Sequence, residues 1–296
     1  MFKELKGSIL IGHIFTFITI AIWSTAFVSN KVLIEYLSPI EIMIFRFILG
    51  YIVLLFAYPQ FKMPNNLKDE LFFFVIGALG IFVYFLFENF ALKWTQATNV
   101  GLFMGAIPIL TAMISHIIHK DEHFSKNLLL GFFLALVGIA LILFEGRGFE
   151  LRFRGDVLAL CGALTFALYS SLLKNAPAKY HPIVITRKSF FYGLLLMLIY
   201  FIIKGEPLRY QELSKRVVLD NILYLGIFSS GLAFLLYQQG VKIIGSIKAS
   251  NYIYLVPLLT AITGVVVLNE VVTVRMVIAG GLILIGLYVA QRKRAV

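Results

Sequence analysis

Ten long apolar runs, separated by short polar connections, occupy almost the whole sequence and leave few folds open to it. Each run contains between 17 and 22 residues. A helix needs about 20 mainly apolar residues to cross the hydrocarbon core of a bilayer. Because lipid offers no partner to backbone polar groups, we expect every run to form a helix. The predicted spans are Ile9–Ser29, Pro39–Tyr58, Leu71–Leu92, Ala97–Ile118, Leu128–Phe144, Val157–Leu173, Ile183–Ile203, Ile222–Val241, Ile247–Leu268 and Val274–Ala290.

The composition supports a membrane protein and argues against other classes. Of the 296 residues, 60% are hydrophobic and 14% are charged, whereas about a quarter of the residues in a soluble domain are charged. The net charge of +11 does not indicate nucleic-acid binding, because the basic residues are scattered between apolar runs. We expect them to face the cytoplasm and anionic lipid headgroups. The single cysteine, Cys161, excludes an internal disulfide and a thiolate metal cluster.

Two of the apolar runs align with each other residue by residue. LKWTQATNVGLFMGAIPILTA at 92–112 matches VKIIGSIKASNYIYLVPLLTA at 241–261, and the offset of 149 places Pro108 on Pro257. A proline removes a helix hydrogen bond, and membrane helices tolerate this where neighbours or cavity water satisfy the freed carbonyl. The two prolines are either static packing kinks or hinges, and we favour hinges. The hinge candidates are Gly101, Gly105, Pro108 and Pro257.

The duplication extends along the chain. In the first two spans of each half the offset is 143, which pairs Trp23 with Phe166, and at the fifth and tenth spans it is 148. A unit of five spans begins and ends on opposite sides of the membrane, so its copy must insert upside down. We therefore predict an all-α integral membrane protein of ten transmembrane helices, built as two inverted five-helix repeats at residues 1–146 and 147–296. Many secondary transporters use this arrangement for alternating access.

The distribution of basic residues predicts the orientation. With ten spans, both termini lie on the same side of the membrane. The connections on the terminal side carry 15 Lys and Arg residues, against 10 on the other side. Because cytoplasmic loops are richer in Lys and Arg, we place both termini in the cytoplasm and the chain in the cell (inner) membrane as a multi-pass protein.

A series of short motifs gives a family resemblance. The segments are IWSTAF in the first span, SPIEIMIFRF entering the second, ALKWTQATNVGLFMGAIPILTA, DEHFS and NEVVT before spans five and ten, GFFLALVGIAL and GGLILIGLYV. In their order and doubling, the chain resembles the EamA-type branch of the drug/metabolite transporter superfamily. The resemblance implies that spans three, four, eight and nine line a pathway beside parts of one, two, six and seven. Spans five and ten would pack together as a peripheral support.

Charged residues inside the predicted spans need an explanation, because a charge in hydrocarbon is costly. Arg46 is either an anchor to backbone or lipid headgroups, or an electrostatic partner for an anionic substrate group or Glu88. Glu88 is either an interfacial carboxylate facing water or a proton-coupling carboxylate, since burial disfavours the charged form. Arg187 and Lys188, one turn into span seven, either extend to the membrane surface or face the cavity.

Aromatic side chains with polar tips would suit a cavity for an amphipathic metabolite. The alternative for each is packing or lipid contact, because 28 Phe and 14 Tyr residues place aromatic rings everywhere. The candidate substrate-binding residues are Trp23, Ser24, Phe27, Arg46, Tyr84, Glu88, Asn99, Phe103, Tyr169, Tyr237, Gln238, Asn251 and Tyr252.

No metal or cofactor is expected. His116, His119 and His123 could share one helical face, but only if a helix continued through a loop of charged residues, so we expect a solvated loop. The sequence has no Walker-type glycine loop for ATP. Ser125 and Thr273 are predicted to cap the N-termini of spans five and ten.

The sequence favours a secondary-active transporter that exports or exchanges a small amphipathic metabolite, such as an amino acid, by alternating access. A proton is a candidate coupling ion, and the transporter is expected to be a monomer among membrane lipids. One alternative is an intramembrane lipid-handling enzyme, which would need clustered acids or a Ser/His/Asp constellation. Another is a non-transporting membrane subunit, which would contain no cavity.

Overall fold

The structure is a computed structural model that describes residues 2–60, 66–95, 97–119, 125–143, 152–268 and 273–292. All regular secondary structure in these ranges is helical, and they contain no β-strand. The predicted all-α class is therefore confirmed for the described part of the chain.

The described residues of the first half form seven α-helices, one of which leads into a π-helical segment. The elements are α1 (Phe2–Leu33), α2 (Pro39–Ala57), α3 (Leu67–Gly77), the π segment Ala78–Val83, α4 (Tyr84–Trp94), α5 (Ala97–Met104), α6 (Ile107–Ile118) and α7 (Lys126–Leu143). The π segment joins α3 and α4 into one continuous rod.

Between residues 152 and 292, the described ranges contain seven more α-helices, a second π segment and two 3-10 turns. The elements are α8 (Phe153–Leu173), α9 (Pro182–Lys204), the 3-10 turn Tyr210–Ser214, α10 (Arg216–Tyr224), the π segment Leu225–Leu232, α11 (Ala233–Ile244), α12 (Ser246–Asn251), the 3-10 turn Tyr252–Tyr254, α13 (Leu255–Leu268) and α14 (Val274–Gln291). Here too the π segment continues directly into the helices on either side.

Seven helical rods in the described ranges are long and apolar enough to cross a membrane. They are Ile9–Ala26, Pro39–Ala57, Leu67–Ala91, Phe153–Leu173, Pro182–Lys204, Arg216–Ile244 and Val274–Gln291. Two shorter apolar helices are Ile107–Ile118 and Lys126–Ile142. The fourth and ninth predicted spans are shorter because the helix is interrupted, at residues 105–106 and at Tyr252–Tyr254.

Each of the two aligned prolines follows one of these interruptions. Pro108 lies in the first turn of α6, where a backbone N–H has no helical partner to lose. Pro257 is the third residue of α13, directly after the 3-10 turn. The chain therefore starts a new helix just before each proline, and neither proline breaks the hydrogen bonds of a continuous helix.

Helices α7 and α14 pack against each other in opposite directions through small residues. A Cβ atom on Gly131 would lie 2.7 Å from the backbone nitrogen of Ala290, and one on Gly138 would lie 2.7 Å from the carbonyl oxygen of Ala279. A Cβ on Gly286 would lie 2.7 Å from the carbonyl oxygen of Gly131. Such small residues allow membrane helices to approach closely. The expected contact between spans five and ten is confirmed.

The predicted helix caps are also present. The Ser125 hydroxyl accepts a hydrogen bond of 3.2 Å from the backbone N–H of Leu128, and the Thr273 hydroxyl accepts one of 3.2 Å from Met276. These bonds satisfy donors that have no partner within the helix. His119 ends α6, whereas His123 lies outside the described residues.

Candidate functional site

A central cavity of about 190 Å³ lies between helices of both halves of the chain. The first half contributes side chains from α1, α2 and α4 to α7, and the second half contributes α8, α11, α13 and the segments Leu225–Leu232 and Tyr252–Tyr254. Two glycines, Gly101 and Gly105, form part of the wall. The cavity is therefore built where the two halves meet.

Aromatic rings form the apolar wall of the cavity. The Trp23 ring packs edge-on against Phe166 and Phe234, with ring centroids 5.8 and 5.2 Å apart. The ring centroids of Phe85 and Phe234 lie 6.4 Å apart. The Trp23 indole N–H donates a hydrogen bond of 3.1 Å to the backbone carbonyl of Ser229. This bond satisfies the polar tip of the indole and fixes its ring against the second half.

Arg46 brings a positive charge to one end of the cavity. Its side chain is 3% exposed. Its Nε donates to the Ser230 hydroxyl at 2.9 Å, and its Nη2 donates to the Ser229 hydroxyl at 2.8 Å. The guanidinium carbon also lies 5.3 Å from the ring centroid of Phe47 and 5.1 Å from that of Phe85. Hydroxyl acceptors and ring faces together offset the cost of placing this charge in an apolar interior.

Glu88 places a negative charge in the same cavity. Its carboxylate interacts with Arg46 and with the Tyr84 hydroxyl, and all three side chains line the wall. A smaller cavity of about 40 Å³ shares Asn30, Arg46 and Glu88 and extends towards Pro39, at the turn between α1 and α2. The charged pair therefore lies at the end of the cavity that approaches this turn.

The opposite end is the one at which α1 begins and α14 ends, and we call it the terminal end. Tyr252 marks it, because its hydroxyl bonds the His13 Nδ1 atom of α1 at 2.9 Å and also interacts with Gln291 at the end of α14. His13 thus ties α1 to the 3-10 turn Tyr252–Tyr254.

Three buried serines lie together at the terminal end, and we call them the serine cluster: Ser115 of α6, Ser171 of α8 and Ser246 of α12. The Ser115 hydroxyl donates to Ser171 at 2.8 Å and shares a hydrogen bond of 2.7 Å with Ser246. His119 adds a hydrogen bond of 2.8 Å between its Nε2 atom and the Ser171 carbonyl. The cluster joins helices of both halves at the terminal end.

Ionic contacts surround the same end outside the cavity. Arg187 donates to the carbonyl oxygens of Tyr58 and Gln60 at 2.7 and 2.6 Å, and Lys188 pairs with Glu70 at 3.0 Å. These two cations therefore hold the start of α9 to other helices and do not line the cavity.

A second ionic contact joins the loop before α9 to the start of α3. Lys179 pairs with Asp69 at 2.6 Å, and this hydrogen bond raises the pKa of the Lys179 amine. Asp69 also accepts a hydrogen bond of 2.8 Å from the Tyr180 hydroxyl. This loop and α3 belong to opposite halves of the chain.

A model of the EamA-like transporter family matches the chain twice, over residues 10–144 and 153–291. The chain belongs to this family. Uncharacterized transporter YyaM of Bacillus subtilis (strain 168) is 28% identical over 269 residues, covering 88% of this chain and 87% of that protein. An uncharacterized transporter of Archaeoglobus fulgidus is 25% identical over 281 residues, covering 94% and 97%. A crystal structure with 22% identity and a TM-score of 0.79 covers 97% of this chain and 96% of its own, so the two chains share a fold.

Membership of the EamA-like transporter family, together with the apolar helices, makes the chain an integral multi-pass membrane protein. Its relatives are named transporters. The chain is thus a membrane transporter with a small-molecule substrate, and the cavity between its halves is the candidate substrate site.

The structure brings seven of the predicted substrate-site and hinge residues to this cavity. Three of them carry or contact charge, one is the aromatic Trp23, and three belong to the interrupted spans. They are Trp23, Arg46, Tyr84, Glu88, Gly101, Gly105 and Pro257. The side chains of Phe27 and Asn99 lie outside the described part of the chain.

The other described candidate residues do not line the cavity, and some of them bond side chains of other helices instead. Tyr237 is fully buried and shares a hydrogen bond of 2.8 Å with Ser170. Gln238 accepts a hydrogen bond from Thr186. Neither amide atom of buried Asn251 has a hydrogen-bond partner among the described residues. The remaining residues in this group are Ser24, Phe103, Pro108, Tyr169 and Tyr252.

Sequence reasoning missed several side chains that shape the site: Asn30, Phe85, Phe166, Ser229, Ser230 and Phe234. The duplication contained a signal for Phe166, because its repeat partner is Trp23. The resemblance implied a peripheral α7, yet Ile139 of α7 reaches the cavity. It also implied lining by span seven, which contributes no described residue to the wall.

Proposed function

We propose that this protein is a secondary-active transporter that exports or exchanges a small amphipathic metabolite, such as an amino acid, by alternating access. The observation that carries the proposal is a cavity between the two halves, with aromatic walls and a charged pair, Arg46 and Glu88, at one end. A binding site of mainly apolar walls with a few placed polar groups suits a ligand that is part apolar and part charged.

Reciprocal contacts support an inverted repeat of residues 1–146 and 147–296. At the offset of 148, Gly138 corresponds to Gly286 and Gly131 to Ala279. Gly138 packs on the carbonyl of Ala279 and Gly286 on that of Gly131, each with a Cβ distance of 2.7 Å. A rotation that exchanges two antiparallel neighbours has its axis perpendicular to them, in the membrane plane. Transporters with this symmetry bind substrate near the midplane, between the repeats.

The helix interruptions repeat in the same way. Shifted by 149 residues, the π segment Ala78–Val83 falls within the second π segment, Leu225–Leu232. Under the same shift the turn at 105–106 falls on 254–255, at the end of the 3-10 turn Tyr252–Tyr254. Interrupted helices in corresponding positions of the two repeats are typical of transporter binding sites. They support a ten-span chain in which Gly101, Gly105, Pro108 and Pro257 act as hinges.

The charges of the cavity favour a zwitterion. Arg46 and Glu88 carry opposite charges, so a ligand with one carboxylate and one amine can enter without changing the net charge of the site. The carboxylate would pair with Arg46 and the amine with Glu88, while Trp23 and Phe166 would contact the apolar part. Opposed charges in a poorly hydrated site raise specificity because a wrong charge is left unpaired.

The described conformation would face the side opposite the termini. The smaller cavity continues the site towards the turn after α1, whereas the serine cluster closes the terminal end. In the proposed orientation both termini lie in the cytoplasm, so the described conformation is outward-facing. The proposed transporter is a monomer in the cell (inner) membrane. Glu88, buried beside Arg46, is the candidate group for proton coupling.

Counterflow into proteoliposomes tests the proposal. Vesicles loaded with an unlabelled amino-acid mixture should take up labelled amino acids of the preferred class, with a rate that depends on the internal load. Arg46→Gln should lower this uptake at least tenfold, because a salt-bridging hydrogen bond to a ligand contributes about 1.5–3 kcal/mol. The matched control is Arg216→Gln, which removes a charge from a residue that is 92% exposed. Absence of counterflow with any zwitterionic, anionic or cationic metabolite would contradict transport.

A further inference from the structure

The Arg46 guanidinium is held along one edge only. Nε and Nη2 donate to Ser230 and Ser229, which are both fully buried. The third nitrogen, Nη1, makes no hydrogen bond within the described residues, and it is not among their buried unpaired atoms. Because Arg46 lines the cavity, the edge formed by Nη1 and Nη2 is the one that a ligand can reach.

The aromatic neighbours restrict the guanidinium further. Phe47 and Phe85 lie with their ring centroids 5.3 and 5.1 Å from its central carbon. Rings at this distance attract the cation but offer no hydrogen-bond acceptor of their own. With one edge filled by hydroxyls and the rings as neighbours, the open edge presents two N–H donors in a plane. A carboxylate matches this geometry with two parallel hydrogen bonds.

The two serines belong to the π segment Leu225–Leu232. A π-helix has a wider turn than an α-helix, so consecutive side chains diverge less, and here both hydroxyls reach one guanidinium. The first half also holds this segment through Trp23, which bonds the Ser229 carbonyl at 3.1 Å. Arg46 and Trp23 together fix the π segment of the second half beside the cavity.

We propose that Ser229 and Ser230 are positioning residues that make Arg46 a carboxylate subsite: they occupy one guanidinium edge and aim the other at the ligand. This inference rests on the proposed function, because the ligand is the transported metabolite. The subsite exists once in the molecule. At the corresponding repeat positions the sequence has Ser189 in place of Arg46, and Gly80 and Ile81 in place of the two serines.

Two probes of matched shape test the subsite: leucine, which carries a carboxylate, and leucinamide, in which a neutral amide replaces it; both keep the amine that would pair with Glu88. Binding of each to the purified full-length protein in detergent is measured by the rise in its unfolding temperature with probe concentration. We expect the wild-type protein to bind the carboxylate about tenfold more tightly than the amide. Binding of neither probe, or equal binding of both, overturns the proposal.

A double variant, Ser229→Ala with Ser230→Ala, tests the positioning role. It should lose about tenfold in carboxylate affinity and keep its amide affinity, because only the carboxylate needs the aimed edge. A second double variant, Ser229→Ala with Ser230→Thr, keeps one hydroxyl and should recover most of the carboxylate affinity. Ser250→Ala is the matched control, because that hydroxyl bonds only the carbonyl of Ile247 in its own helix. Equal losses for both probes would indicate a packing role and overturn the proposal.

Failure of the subsite and failure of transport can be told apart by measuring counterflow with the same wild-type preparation. Selective carboxylate binding without counterflow of any metabolite leaves the subsite standing and refutes transport. Counterflow that is equally fast for carboxylates and for their amides leaves transport standing and refutes the subsite.

Discussion

Removing one hydroxyl from the serine cluster should open the terminal end of the cavity. Ser115 is the central member, because it bonds Ser171 at 2.8 Å and Ser246 at 2.7 Å, and all three side chains are fully buried. These bonds join α6 to α8 and α12. Ser115→Ala removes both bonds with little change in volume, so its effect reports on the bonds themselves.

The size of the effect follows from the number of bonds lost. A buried hydrogen bond between neutral groups contributes about 1 kcal/mol net. In a state open at the terminal end, water would bond the freed hydroxyls, so the variant loses its two bonds only in the closed state. A loss of about 2 kcal/mol shifts the ratio of closed to open molecules by roughly 30-fold.

Cysteine labelling from each side of the membrane measures this ratio. In a Cys161→Ser background, Thr111→Cys places a thiol at a fully buried position next to the serine cluster, and Asn30→Cys places one in the smaller cavity. With Ser115→Ala, a membrane-impermeant maleimide added on the side of the termini should label the cysteine at position 111 about 30-fold faster than without this substitution. The factor holds while only a small fraction of the molecules is open at the terminal end. Labelling at position 30 should slow down.

The control is Ser250→Ala, whose hydroxyl is equally buried but bonds within its own helix. It should leave both labelling rates unchanged. Unchanged rates with Ser115→Ala, or equal changes with Ser250→Ala, would refute the assignment of the cluster as the closed gate.

Three further predictions concern coupling and stability. Glu88→Gln should make counterflow independent of pH while binding persists, and an unchanged pH profile would remove Glu88 from coupling. Gly286→Ala should destabilise the protein by about 1–3 kcal/mol, because the added Cβ would meet backbone atoms of α7. Gly281→Ala is the control, because a Cβ there would face open space. Thermal unfolding in detergent compares the two variants. Arg209→Ala removes two side-chain bonds to the Glu41 carboxylate, which is 1% exposed, and should cost about 1–2 kcal/mol; an unaltered unfolding temperature would contradict this.

Much of the architecture could be predicted because it depends on short-range patterns. Apolar runs specify helices in lipid, hydroxyl residues cap them, and small residues mark close packing. Ser125, Thr273 and the glycines of α7 and α14 follow these rules directly. The prolines were informative for the same reason, since each marks the point where a new helix begins.

The wall of the cavity was harder to predict, because polarity does not reveal which way a side chain points in an apolar helix. Tyr237 and Gln238 are polar and were expected at the site, yet they bond Ser170 and Thr186 behind the wall. Arg46 was a candidate for an electrostatic role, but its hydrogen-bond acceptors lie 183 and 184 residues away in the other half. The π segment that presents them depends on packing between distant helices, which no local pattern encodes.

The two halves match the same family model but carry different side chains, and this difference bears on the proposed mechanism. Under the proposed repeat, Ser115, Ser171 and Ser246 correspond to Gly264, Val28 and Ala97, which have no hydroxyls. Under the alternating-access mechanism that we propose, the serine cluster would hold the terminal end closed, and the corresponding positions of the other half could not form the same bonds. The empty carrier would then be biased towards the described conformation. A ligand shifts such an equilibrium only by binding the other state more tightly. In the mechanism that we propose, substrate would have to supply about 2 kcal/mol of differential binding to open the terminal end. The loaded carrier would then cross more readily than the empty one, which would favour exchange over net flux.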